Sequence, residues 1–199
     1  MNSGERKEMV AELRKRDIAG KTVILRPVTA DYAEDIINLR NKPRNMYYLN
    51  QASVLTLEEQ KVWLESYNRS VDDIYWCILD QKEIFIGTIR LYGIDMNGES
   101  CEEGSYAVRE EVADEAPYAV EAKMLILDTA FETLQIRKVI NDNRIDNKIM
   151  NNMDDQLGFD AGWKREIKGT EHIHRTLTAQ DYWKNRSKFF RLVEYWSER

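Results

Sequence analysis

The sequence predicts an α+β fold: a mixed, mostly antiparallel sheet flanked by helices, with an extra helix at each terminus. Three observations predict it. Strand-like runs gather before residue 110, and a β–α–β–α section follows them. The segment 118–134 carries the strongest helical stripe in the chain. Glycine (9) and proline (3) are scarce, and no repeat or low-complexity linker interrupts the pattern, so residues 1–199 read as one domain.

Taken in order, residues 5–17 predict a short, charged helix, and Thr22–Val28 a strand ended by a turn. Asp31 and Glu34 have capping-box spacing ahead of Ile36, Ile37 and Leu39, so a helix is expected there until Asn41-Lys-Pro43 breaks it. Thr56 and Glu59 form a cleaner capping box, opening a helix that carries Val62, Trp63 and Tyr67. Strands are expected over 74–79, 84–92 and 104–109, with Asp80 to Glu83 as the first hairpin turn. In the helix 118–134, Met124, Leu127, Phe131 and Leu134 share a stripe, and Ala122 and Ala130 permit close packing. A short strand at 138–143 and a polar helix at 147–156, stopped at Gly158, come next. Strands 163–167 and 172–177 are joined across Lys168-Gly-Thr170, and Thr178 with Asp181 caps a last helix.

Composition narrows the function. A formal net charge of −6 and a pI near 5.2 argue against a general nucleic-acid binder, whose affinity rests on a basic surface. No apolar run approaches a membrane span, and the first residues are too charged for a signal peptide, so a cytoplasmic protein is expected. Cys77 and Cys101 have neither disulfide nor metal-ligand spacing and read as small buried side chains. His172 and His174 share one face of a strand but lack a third ligand in sequence, so half-exposed strand residues and no metal site are expected.

Three segments carry a family resemblance: IFIGTIRLYGID (84–95), EAKMLILDTAFETLQIRKV (121–139) and NKIMNNMDDQLGF (147–159). They resemble the GNAT acetyltransferases, with a core of about residues 22–178. LRNKPRNMYYLNQ (39–51) and TLEEQKVWLESY (56–67) are similar to the substrate region of two groups: amino-sugar N-acetyltransferases and ribosomal-protein N-terminal acetyltransferases. The resemblance implies transfer of an acetyl group from acetyl-CoA to a primary amine.

Such chemistry needs a grip on the cofactor's pyrophosphate, a strand edge for its pantetheine arm, a base for the amine and a proton or stabilising group for the leaving thiolate. A helix N-terminus supplies the first through unpaired amides and its dipole. In the family this turn reads roughly Arg/Gln-x-x-Gly-x-Gly/Ala. The matching positions here are Asp114, Pro117 and Ala119, of which only Ala119 fits. Proline suits the first helical position, so Pro117 followed by free amides of Tyr118, Ala119 and Val120 is expected to hold the phosphates without glycine. The resemblance places the pantetheine arm along Tyr106, Ala107, Val108 and Arg109, beside Asn143 and Asn147.

For acid–base work, the resemblance points to a glutamate before the turn, here Glu102 or Glu103, with solvated turn carboxylates as the plain alternative. Family members often carry a tyrosine acid seven residues after the asparagine. That position is Asp154, whose carboxylate donates a proton at neutral pH only with a raised pKa. Tyr106 is a candidate stand-in, or a pocket-wall residue. Arg40, Asn41, Arg44 and Tyr47 are candidate substrate contacts, with Tyr48, Trp63 and Trp76 as aromatics for a sugar or base, or for the core. The acceptor is expected to be a small-molecule amine such as a nucleotide-linked amino sugar. A protein N-terminus, or a binding protein without catalysis, are the alternatives. The segment 189–196, apolar on one side, packs on its own sheet or against a second copy in a homodimer.

Overall fold

The computed structural model describes residues 1–198. Eight strands form one sheet in the order β1-β2-β3-β4-β5-β6-β8-β7. They are β1 (Ile18–Ala19), β2 (Val23–Pro27), β3 (Ile74–Asp80), β4 (Phe85–Tyr92), β5 (Ser100–Val108), β6 (Lys138–Arg144), β7 (Trp163–Ile167) and β8 (Thr170–Thr178). The helices are α1 (Ser3–Leu13), α2 (Ala33–Arg40), α3 (Pro43–Tyr48), α4 (Leu57–Arg69), α5 (Tyr118–Asp128), α6 (Lys148–Leu157) and α7 (Ala179–Ser197). Every strand pairing is antiparallel except β5 with β6.

The centre of the sheet is buried on both faces, and β3 shows why. Ile74, Trp76 and Ile78 enter one core with α1, α5 and α7, whereas Tyr75, Cys77 and Leu79 enter the other with α2 and α4. A strand alternates its side chains, so a continuous apolar run serves two layers of helices. Each such side chain taken out of water contributes about 1.5–3 kcal/mol. Trp76 is among them, which makes it a core residue and no part of a substrate surface. Cys77 and Cys101 are buried, and burial pushes both thiols up.

The Thr56 box forms in full, with Thr56 accepting from the Glu59 amide and Glu59 accepting from the Thr56 amide. Gly158 stops α6 in the left-handed conformation at φ 98°. Elsewhere the structure corrects the reading. The Asp31 box does not form, because a 3-10 turn over Ala30–Tyr32 moves the start of α2 onward and Asp31 accepts from Thr29 Oγ1 instead. After the Asn41–Pro43 break, Pro43 opens a further short helix, α3. The stripe over 118–134 is α-helical only to Asp128. Thr129 then hydrogen-bonds back to the Leu125 carbonyl, and a wide π turn over Thr129–Thr133 closes the element. The strand expected from Gly104 begins at Ser100, so Glu102 and Glu103 lie within β5 and not on a turn.

Two features of the sheet position the site. β5 and β6 pair only from Ser100 to Glu102 against Lys138 to Ile140, and beyond that they part. Between Thr88 and Arg90 the β4–β5 register slips, with Ser105 at φ 48°, a bulge that re-aims the strand.

Candidate active site

Where β5 and β6 separate, a buried ionic array fills the crotch. Lys123, on α5, is fully buried. Its Nζ lies 2.7 Å from Glu103 Oε1 and 2.5 Å from Asp154 Oδ1. Asn141 Nδ2 donates to Glu103 Oε1 at 2.8 Å and to Asp154 Oδ2 at 2.9 Å, and Asn143 Nδ2 also donates to Asp154 Oδ2. All of Asp154's contacts are internal, and the residue has no exposure. Buried charges persist only when paired and hydrogen-bonded, and this array meets both conditions with two atoms left over. Among the described residues, Glu103 Oε2 and Asn141 Oδ1 have no partner. Burial raises the Glu103 carboxyl most, Lys123 pulls it down, Asp154 pushes it up, and Asn141 lowers it again, for a net rise. For Lys123, burial works to lower the ammonium, but Asp154 and Glu103 outweigh it and the net shift is upward.

Lys123 was not visible as a functional residue in the sequence. Its signal was there: α5 buries Glu121, Ala122, Lys123, Met124, Ile126 and Leu127, so a lysine in that run has no route to water and needs carboxylates. Glu121 obeys the same logic. It accepts from the Lys21, Thr22 and Val23 amides and from the Thr22 hydroxyl, tying α5 to the start of β2.

A cavity of about 360 Å³ borders the array. Glu103 lines it, whereas Lys123 and Asp154 lie behind. Its walls carry both signs of charge, Arg40, Arg165 and Lys168 beside Glu102, Glu103 and Asp142, with Arg165 paired to Asp142 at 2.8 Å, and Tyr48 and Tyr92 add aromatic surface. Tyr106 also lines the cavity, but its hydroxyl donates to the Ala119 carbonyl at 2.6 Å, which binds β5 to the first turn of α5. Burial and the nearby Glu103 and Asp154 charges hold that phenol well above its ordinary range. His172, expected to be half-exposed, is buried against the cavity with Nδ1 beside the Thr170 carbonyl. His174 instead pairs with Asp142 and meets the Trp163 ring. Among the described residues no cluster suited to a metal ion occurs.

On the side where the resemblance places a cofactor, Arg109 donates its amide to the Ile86 carbonyl, so Val108 turns its own backbone groups to the opposite, open edge. Ala107 is buried in the core beneath. Asn143 and Asn147 both line the cavity, and Asn147 caps α6 by accepting from Met150. At the turn, Pro117 stands one position earlier than expected, as the residue before the first helical one. The Tyr118 amide is taken by the Ala116 carbonyl, so it is not free. Among the described residues the Ala119 and Val120 amides have no partner, leaving two free donors and not three. The acids of the preceding segment are partly drawn off: Glu110 pairs with Arg44, and Glu111 with Lys42. Asp114 and Glu115 are exposed.

The four candidate substrate contacts separate. Arg40 lines the cavity, with Nε donating to Gln51. Asn41 is committed to the 51–55 loop, donating to the Leu55 carbonyl and accepting from Leu55 and Gln51. Arg44 is held by Glu110. Tyr47 is exposed, donates to Asp146 and lies under the Arg144 guanidinium, outside this cavity. At the far end, Phe189 and Val193 of α7 join the chain's own core, while Leu192 and Tyr195 stay exposed.

Among the described residues, no helix is long and apolar enough to cross a membrane. No curated protein matches the sequence. Among solved structures, apo FdhC, a nucleotide-linked sugar GNAT, superposes at TM-score 0.74 with 22% identity, over 89% of this chain and 98% of that one. A GCN5-related N-acetyltransferase from Brucella melitensis gives 0.74 at 16% identity, over 93% and 95%. Spermidine N-acetyltransferase from Vibrio cholerae, in complex with CoA and spermine, gives 0.73 at 18% identity, over 82% and 99%. At these identities the likeness speaks for the shared sheet and its flanking helices. The acetyltransferase (GNAT) domain matches residues 22–160 of the 199 in sequence. That match spans most of the chain and takes in the parting strands, the helix behind them and the buried array, so the chain belongs to the GNAT acetyltransferase family.

Proposed function

We propose that the protein is a cytoplasmic acetyl-CoA-dependent N-acetyltransferase acting on a primary amine of a small molecule, with a nucleotide-linked amino sugar as the first candidate. One observation carries the reading: Glu103 lines the cavity with Oε2 unpartnered while Lys123 and Asn141 fix Oε1. Oε2 is buried as well as unpaired, so in this reading it takes a proton from an ammonium seated in the cavity and not from bulk solvent. Its raised affinity for protons favours that transfer, because a base works best when its pKa approaches the working pH.

The residues present fit the cofactor. The gap between β5 and β6 offers the Val108 backbone groups for a pantetheine arm, with Asn143 and Asn147 alongside. The Ala119 and Val120 amides, at the positive end of α5, suit a pyrophosphate. Bound there, acetyl-CoA would supply the acetyl group as a thioester, the amine gaining it as an amide and coenzyme A leaving as the thiol.

In this reading Asp154 and Lys123 position Glu103 and set its charge environment, touching no substrate. Tyr106 serves as a strut between β5 and α5, since its proton is committed to the Ala119 carbonyl. The cavity's lining mixes Arg40, Arg165 and Lys168 with Glu102, Glu103 and Asp142, and adds the rings of Tyr48 and Tyr92, so it suits a small amine that also carries polar groups and a ring face. Calorimetric titration with acetyl-CoA and with coenzyme A tests the reading first. Micromolar binding of both supports it. No heat and no thermal stabilisation at millimolar cofactor overturns it and leaves a GNAT-fold protein that binds something else.

A further inference from the structure

The sheet ends at β7, which among the described residues has β8 on one side and no strand on the other. The ladder with β8 decides which backbone groups face out. Ile145 donates its amide to the Glu171 carbonyl, and Asp160 donates to the Thr176 carbonyl. The odd-numbered residues of β8 therefore turn their backbone groups toward β6, and the even-numbered ones toward β7. β7 pairs without a bulge, Trp163 with His174, Arg165 with His172 and Ile167 with Thr170. These residues spend their amides and carbonyls on β8, and Lys164 and Glu166 point theirs to the open edge. Such an edge is a template for another strand.

The side chains decide which strand. Lys164 and Glu166 are exposed, and among the described residues neither has an ion-pair partner. Trp163, on the opposite face of the strand, is 59% exposed. A second copy of β7 laid antiparallel about Arg165 sets Lys164 against Glu166 of the partner subunit, and Glu166 against the partner's Lys164. Both outward-facing residues then exchange both backbone bonds, and each meets the opposite charge. A register one residue off sets an outward group against an inward one. A register two residues off sets lysine against lysine or glutamate against glutamate, which destabilises the pair. One register of one partner therefore satisfies backbone and charge together. On the other face, Trp163 covers the partner's Ile167. Arg165 meets its own copy there, and each is held by Asp142 of its own chain at 2.8 Å, which offsets the repulsion.

We infer that two copies of the chain pair through β7, joining their eight-stranded sheets edge to edge. Ile167 lines the cavity at Glu103, so Trp163 of the partner subunit closes that cavity's rim. The inference holds whatever the cavity binds. It is tested by light scattering over a dilution series of the parent protein, Lys164→Glu and Glu166→Lys, each alone and the two variants mixed. Both positions are exposed, and thermal melts report that each variant folds. In either variant alone, both facing pairs become like-charged. In the mixture, every facing pair is opposite again. Expected are a parent at twice the chain mass of 23.5 kDa, dissociation about tenfold easier in either variant alone, and the parent's affinity recovered on mixing. A parent that stays at the single-chain mass up to its solubility limit overturns the inference. So does a dimer that neither variant weakens, since its interface then lies elsewhere. Two weakened variants that mixing fails to rescue overturn it as well.

Discussion

Lys123 Nζ lies 2.7 Å from Glu103 Oε1 with both side chains shut away from solvent. The lysine comes from a helix and the glutamate from a strand, so this contact locks α5 to β5 at the point where the sheet opens. With Asp154 included, the array holds two carboxylates against one ammonium. Replacing Lys123 with methionine strands both acids. The expected cost is about 3–5 kcal/mol at pH 7, read from urea unfolding, and it is smaller at pH 5, where the carboxyls can take up protons.

Glu103 gives a signed pH dependence. Its folded-state carboxyl is raised above the ordinary value of 4.5, chiefly by burial. The native state therefore binds more protons than the unfolded chain between those two values, and stability falls as pH rises through that window. Glu103→Gln removes this contribution, so the variant's stability relative to the parent rises with pH through that window. The same substitution removes the proposed base. The parent's kcat/KM is expected to rise with pH along a limb above the usual carboxylate range. The variant is expected to lose that limb and roughly 100- to 10,000-fold in kcat.

Tyr75→Phe is expected to keep or gain stability, by about 1 kcal/mol, because the oxygen it removes is buried without a partner. Denaturant unfolding of the ligand-free protein checks this, and a clear loss of stability would show that the hydroxyl has a partner in solution.

At the cofactor turn, the exposed acids Asp114 and Glu115 stand near the two free amides in sequence and oppose an anion. Asp114→Asn with Glu115→Gln is expected to tighten coenzyme A binding about two- to fivefold at low salt. The gain should shrink at high ionic strength, where exposed charges are screened. Titration calorimetry at two salt concentrations reads both.

Gly158 answers two demands at once. Its φ is 98°, and a Cβ there would lie 2.6 Å from Asn185 Nδ2 and 3.1 Å from the Asp181 carbonyl oxygen. Gly158→Ala is expected to cost about 1–2 kcal/mol for the left-handed backbone alone, with the clash against α7 in addition, seen as a lowered melting temperature.

Local chemistry made much of the fold legible. The Thr56–Glu59 box, the Gly158 stop and the strand at 74–79 each depend on neighbours in sequence, and all form. What escaped reading depends on partners far along the chain. Asp31 has the spacing of a cap, but Thr29 captures its carboxylate. Lys123 sits among apolar residues, and only the approach of Glu103 and Asp154, from β5 and α6, explains it. Glu103 and Tyr106 were legible as candidates, yet nothing in sequence says that one keeps a free oxygen while the other spends its proton on Ala119. Gln60 gave no signal at all, because an amide is notable only once its surroundings leave it unpaired.

The short β5–β6 ladder has a mechanical consequence. Only three residue pairs stitch β1 through β5 to the β6, β8 and β7 set, so the sheet carries a built-in seam. An extended molecule lying in that seam acts as a splint, bonding to edges that the polypeptide leaves apart. Amide exchange should then slow on both flanks together, at Tyr106 to Val108 and at Asn141 to Arg144, making the protein's rigidity a property it shares with whatever it holds.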